Sequence, residues 1–174
     1  VIETDGKLEL AGIGSIETSS RVVADGTLDI GDKGNRIAFW GVSDAYNDAR
    51  IRSLSGSGTV LLYDRNLVLT AAQDSFRGTI TDLDAENTHH GGGLIVQGGV
   101  QTLAGNNQYT GATRINTGAG LVLTSKGSLA SKVLVSGGFA NDGTVNDHTT
   151  VQNGGTAGGT GTFHGLTVAD GGAV

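Results

Sequence analysis

The sequence predicts an all-β chain wound as a parallel β-solenoid, and three observations carry that prediction. Apolar residues alternate with polar ones over three to five positions, as at Leu8/Leu10, Leu28/Ile30, Leu67/Leu69, Val133/Val135 and Leu166/Val168. Period two belongs to strands, in which every second side chain faces the core. Gly supplies 31 of 174 residues and Pro none, as a backbone would need if nearly every N–H donates to a neighbouring strand. The strand-and-turn unit also recurs at an interval the length of one coil, which marks stacked repeats.

Taken in order, "DGKLEL" at 5–10 returns as "DGTLDI" at 25–30, one 20-residue step later. Residues 39–53, "FWGVSDAYNDARIRS", break the pattern and hold the single Trp. They read as a loop projecting from the rod, with Trp40 and Tyr46 as candidate binding residues. "LVLTAAQDSFRGTIT" (67–81) aligns with "QTLAGNNQYTGATRI" (101–115), pairing Leu69 with Leu103, Phe76 with Tyr109 and Gly78 with Gly111. Residues 82–93, "DLDAENTHHGGG", are polar and acidic and read as a second loop. Toward the C-terminus Gly137-Gly138 returns as Gly154-Gly155 and Gly171-Gly172, each pair preceded by an alternating strand. Coils of roughly 17 to 25 residues at about 4.8 Å spacing imply roughly eight or nine turns, a rod about 40 Å long. An antiparallel β-sandwich also has short strands and frequent turns. It does not call for a repeat at one coil length.

Apolar content of 37% in alternating positions is enough for a core, which argues against disorder. A net charge of −6 with no Lys/Arg-rich run argues against nucleic acid as a partner. No apolar stretch approaches the roughly 18 residues of a spanning helix. Zero Cys excludes a disulfide scaffold and a thiolate metal site. The opening "VIETDGKLEL" lacks Met and reads as a fragment of a longer rod.

"GGLIVQGGVQTLAGNNQYTGATRINTGAGLVL" (92–123) resembles the passenger-associated transport repeat of bacterial autotransporters, the type V secretion proteins. Leu103, Gly105, Asn107, Tyr109, Gly111, Thr113, Ile115, Gly118 and Leu121 occupy the places of that motif. The likeness is specific over 92–174, degenerate over 51–81, and generic before that. It implies a single right-handed parallel β-helical passenger segment over 1–174. Such a chain is exported through the periplasm and then through its own C-terminal outer-membrane β-barrel, which would be its partner. The surface of a Gram-negative cell, or secretion from it, is then the expected location. Zero Cys suits a chain that crosses a pore unfolded, and rung-by-rung folding outside would bias its motion outward.

Two functions follow as expectations. The rod is a stem that supports export and displays an upstream effector domain, such as a subtilisin-like protease. Alternatively it is an adhesin that binds a host surface ligand, or a self-associating rod that zips to a copy through Thr144, Thr160, Thr162 and Asn153. No enzyme chemistry is expected in the chain itself, and no cofactor. His89-His90 with Asp82, Asp84 and Glu86 supplies metal-ligand residue types, but adjacent side chains on a strand face opposite ways and a three-glycine tail preorganises poorly. A solvated loop is expected there, with His89 and His90 as candidate loop-binding residues. "LSGSGTV" (54–60) puts Ser between glycines but leads to a strand rather than a helix, unlike a nucleophile elbow. Asn106-Asn107 suggests a stacked amide ladder, and His148 and His164 suggest surface positions. Uncapped end rungs would associate end to end in concentrated solution.

Overall fold

The computed structural model describes residues 1–10, 16, 21–31 and 48–174. The described residues contain strands and no helix. They stack as a parallel β-solenoid of about 7 turns, fewer than the eight or nine expected, because two coils carry insertions.

Each turn has three faces. The first is built from Asp48–Ile51, Asn66–Leu69, Leu94–Val96, Thr113–Ile115, Val133–Val135 and the C-terminal halves of Thr144–Val151 and Thr162–Val168. On the second lie Val22–Val23, Leu54–Ser55, Ser75–Phe76, Gly99–Leu103, Ala119–Leu123, Gly138–Asn141 and Thr156–Gly158. The third comprises Lys7–Glu9, Thr27–Asp29, Thr59–Leu61, Thr79–Thr81, Asn106–Asn107, Ser128–Leu129 and the N-terminal halves of the two long strands. Those long strands turn the corner between the third and first faces through a register shift between Val145 and His148. Every pairing between named strands is parallel, and apart from that shift the pairs run in register, as in Leu67↔Leu94↔Thr113↔Val133↔Thr149.

Alternation does what period two demands. Leu69, Val96, Ile115, Val135 and Val151 stack as one buried column, while Arg114 and Lys132 on the same face are exposed. No single coil can enclose its own apolar residues, so burial comes from the rung above and the rung below. The first repeat is confirmed, since Leu8 pairs Leu28 in register. The Gly-Gly series is confirmed with a shift of one residue at its first step: Gly138 pairs Thr156, and Thr156 bridges Ala173, which aligns Gly137, Gly155 and Gly172.

Three expectations are corrected. The alignment of 67–81 with 101–115 is out of register: Phe76 pairs Leu103, not Tyr109, and a Cβ on Gly105 would lie 1.9 Å from the Gly78 carbonyl oxygen. Leu69 accordingly pairs Val96. The insertion at 82–93 lengthens that coil, so a likeness that skips it lands one face too far along. The loop proposed at 39–53 ends earlier, because Asp48–Ile51 is a regular first-face strand. Trp40 and Tyr46 lie outside the described residues. Finally, two of the three glycines after His90 are packed rather than slack: a Cβ on Gly92 would lie 2.4 Å from the Tyr63 carbonyl oxygen, and one on Gly93 2.6 Å from that of Ala112, while Gly91 stands in open space.

Candidate functional site

The nine motif residues trace slightly more than one turn of the solenoid. Leu103 closes a second-face strand and is fully buried. Gly105 turns the corner, Asn107 enters the third face, and Tyr109 and Gly111 span the next corner. Thr113 and Ile115 lie in the first face, Gly118 (φ +79°) makes the following turn, and Leu121 returns to the second face. Every side chain among them points into the core or is absent at a corner. The motif describes how to make a coil.

Two of its polar residues do work that an aliphatic side chain cannot. Asn107 is buried, and its Oδ1 accepts the Ile80 N–H at 3.2 Å. Its Nδ2 donates to the carbonyls of Gly105 (3.0 Å) and Ser128 (3.1 Å). One side chain therefore bridges three successive rungs where the coil above was lengthened by an insertion. Asn106 faces outward and accepts the Ser128 hydroxyl at 2.6 Å, so the expected Asn106-Asn107 ladder is replaced by two separate bridges on opposite faces. The reason is the strand's own alternation. Tyr109 lies in the interior with its hydroxyl 2.6 Å from Thr113 Oγ1, which is 2.7 Å from Ser131 Oγ. Burial pushes the phenol up to about 12, against the opposing effect of the Thr113 and Ser131 hydroxyls.

Among the described residues, the 82–93 insertion gathers Asp82, Asp84, His89 and His90, and it is ordered rather than merely solvated. Burial would raise the pKa of the Asp82 carboxyl, but the Thr110 hydroxyl, His89 and the N–H groups of Thr110 and Gly91 hold it below the ordinary carboxylate value. Those partners sit at 2.6 Å (Thr110 Oγ1), 2.5 Å (His89 Nδ1), 3.2 Å (Thr110 N) and 2.8 Å (Gly91 N). Asp82 thus ties the start of the loop to its end and to the next rung. Asp84 does the same within the loop: it accepts the N–H groups of Thr88 (2.8 Å) and Glu86 (2.9 Å) and pairs His90 Nε2 at 2.8 Å. Asn87 takes φ +60° at the tip, a conformation that Asn tolerates better than most residues. His89 and His90 each meet a different carboxylate, which follows from their facing opposite ways.

The arrangement is a clasp. In a hydrolytic triad the hydroxyl bonds the far nitrogen of the imidazole, which takes its proton. Here Thr110 and His89 both donate to Asp82, so no base faces the hydroxyl. Among the described residues no three His, Cys, Asp or Glu side chains are grouped to hold a metal ion. His148 and His164 are exposed, and His148 Nε2 lies 2.8 Å from the Thr167 hydroxyl.

The feature that sequence reading missed runs the length of the rod. Gly6, Gly26, Gly58, Gly78, Gly105, Gly127, Gly143 and Gly161 occupy one corner, each entering the third face. A Cβ on any of the last seven would lie 1.9–2.8 Å from a backbone oxygen of the preceding coil. The signal was present as a triplet, Gly then Thr or Ser then an apolar residue: "GTL" at 26, "GTV" at 58, "GTI" at 78, "GSL" at 127, "GTV" at 143 and "GTF" at 161. Its spacing is uneven because the insertions fall between copies. Outward from the same strands stand Thr27, Thr59, Thr79, Asn106, Ser128, Thr144 and Thr162, an uncharged hydrogen-bonding column. Of the four residues proposed for zipping, Thr144 and Thr162 belong to it. Thr160 is instead spent on the Asp142 carboxylate at 2.9 Å, and Asn153 lies in a turn elsewhere. Arg65 also escaped notice: it is buried and its guanidinium donates to the carbonyls of Leu10 (2.8 Å) and Ile30 (2.7 Å), stapling successive coils.

Comparison with protein-family models, with curated proteins and with solved structures finds no match. The likeness to the autotransporter transport repeat therefore rests on the residues quoted for it above.

Proposed function

We propose that this chain is the β-helical stem of an autotransporter passenger, a rod that assembles rung upon rung during export and carries an upstream domain away from the cell. The observation that supports this reading is the continuous inter-coil template. From Gly26 to Gly161 each corner is shaped by the carbonyls of the coil before it, and each parallel ladder adds to the last. A chain built this way folds sequentially as it emerges from a pore, and each added coil buries apolar area worth roughly 25 cal/mol per Å². The motif residues shape the coil and converge on no reactive centre, which fits a scaffold better than an enzyme. The partner on this reading is an outer-membrane β-barrel of the same protein, and the location is the surface of a Gram-negative bacterium.

The test places the chain between a surface reporter and such a barrel, and follows the reporter's appearance outside the cell. Leu121→Asp, verified by lost protease resistance in the purified chain, slows that appearance. Unchanged export from a demonstrably broken rung overturns the reading. A second reading, adhesin or self-associating rod, draws on the outward Thr/Ser/Asn column of the third face and on the clasped loop at 82–93. Cells displaying the rod alone would then agglutinate or bind host surfaces, whereas a stem leaves them dispersed.

A further inference from the structure

We infer that Asn153 is a site of spontaneous deamidation, gated by the opening of the neighbouring rung that carries Gly171 and loosening that rung once it has occurred. Asn153-Gly154 is the sole Asn-Gly pair in the sequence. Asn153 is exposed, and the Gly155 N–H donates to the Gln152 carbonyl at 2.9 Å to close a tight turn around it. Gly154 has φ +77°, and nothing lies within 4 Å of where its Cβ would be. A nucleophilic backbone nitrogen with no side chain to obstruct ring closure therefore follows an accessible side-chain amide.

The chemistry needs only water. The Gly154 nitrogen attacks Asn153 Cγ and gives up its proton, the bond from Cγ to the side-chain nitrogen breaks, and ammonia leaves behind a five-membered succinimide. Water then opens either carbonyl of the ring, leaving aspartate, or isoaspartate with the main chain running through Cγ. Asn107 and Asn141 are held away from this path. Both are buried, hydrogen-bonded to neighbouring rungs and followed by Gln108 and Asp142.

The gate is the next coil. The Gly154 N–H donates to the Gly171 carbonyl at 2.9 Å, and that bond must open before the nitrogen can attack. In the coil that supplies it, Leu166 is 40% and Val168 45% exposed. Deamidation thus reports the local opening of that rung. The product acts back on it. Asn153 lies over the turn Asp170-Gly171, close enough that a Gly171 Cβ would meet its Oδ1 at 2.5 Å. A new carboxylate there stands one rung from Asp170, and like charges on adjacent strands repel. Isoaspartate additionally lengthens the main chain by one carbon, pulling Gly154 away from Gly171.

The test incubates the purified chain at mildly alkaline pH, folded and in urea, and maps peptides by mass spectrometry with isoaspartate detection. A gain of one mass unit with isoaspartate at Asn153 is expected, slower in the folded chain than in urea, and absent in Asn153→Gln. The aged chain should show faster amide exchange over 162–173 than fresh chain or the Gln variant. No mass gain at Asn153, or another asparagine reacting first in the folded chain, overturns the site. Equal rates in folded and urea-unfolded chain overturn the gate.

Discussion

Replacing Gly78 with Ala tests the corner column most directly. A Cβ at Gly78 would sit 1.9 Å from the Gly58 carbonyl oxygen and 2.6 Å from Phe76 Cζ. Real Cβ contacts essentially never fall under 3.0 Å, so the corner must open by more than 1 Å. That is roughly a quarter of the ~4.8 Å separation between rungs. The Gly58 carbonyl accepts the Thr79 N–H at 3.0 Å, and the ladder Thr59↔Thr79, Val60↔Ile80 begins at that bond, so the displacement cannot be absorbed by a flexible side chain. Overpacking costs about 1–3 kcal/mol, and each compromised backbone bond adds about 1 kcal/mol. The expected loss is about 3–5 kcal/mol. Gly158→Ala is the matched control: nothing lies within 4 Å of its Cβ and its φ is not in the left-handed region. That substitution should be neutral or stabilise by about 0.4–1 kcal/mol, through the entropy of the unfolded chain. Urea unfolding of both variants by far-UV circular dichroism measures the difference. Equal midpoints for Gly78→Ala and Gly158→Ala would refute the claim that the corner glycines are required by the carbonyl of the coil above.

Asn107→Leu, of similar size, removes the acceptor of the Ile80 N–H and the amide donor to the Gly105 and Ser128 carbonyls and should cost about 2–4 kcal/mol in the same assay, more than the loss from trimming exposed Asn106 to Ala. Tyr109 is raised to about 12 from 10.0, so the folded state holds its proton longer than the unfolded state. Its contribution is complete below pH 10.0 and fades as pH climbs toward about 12; Tyr109→Phe should flatten that alkaline slope of unfolding free energy. Asp82 is depressed below 3.8, so its contribution is complete above that value and is lost as pH falls through the lower folded value. Asp82→Asn should remove part of the acid-side slope and speed amide exchange at Gly91 and Thr110, measured by mass spectrometry; unchanged exchange at both amides would show that the carboxylate does not hold the loop.

Particular residues show where sequence reading reached its limit. Leu8 and Leu28 were legible as one column because nothing interrupts the 20 residues between them, and the structure pairs them directly. Phe76 and Leu103 were not, because the clasped loop intervenes, and a search for likeness prefers an aromatic partner to the correct one. That His89 and His90 would take different partners was legible from alternation alone. Their engagement with Asp82 and Asp84 was not, because it depends on the loop folding back across itself. Thr110 closing on Asp82 joins residues 28 positions apart, a separation that no local pattern encodes.

Short-range physics acts between near neighbours in the chain, so alternation, glycine abundance and the lack of proline were sufficient to settle strand, turn and stacked coil from the sequence alone. Register between coils is different in kind. It arises where a carbonyl of one turn meets the backbone of the next, at separations stretched by whatever loop lies between. Which glycine stands beneath which oxygen, that Asn107 bridges three rungs, and that the acidic insertion closes into a clasp were decided only when the coils came to rest on one another.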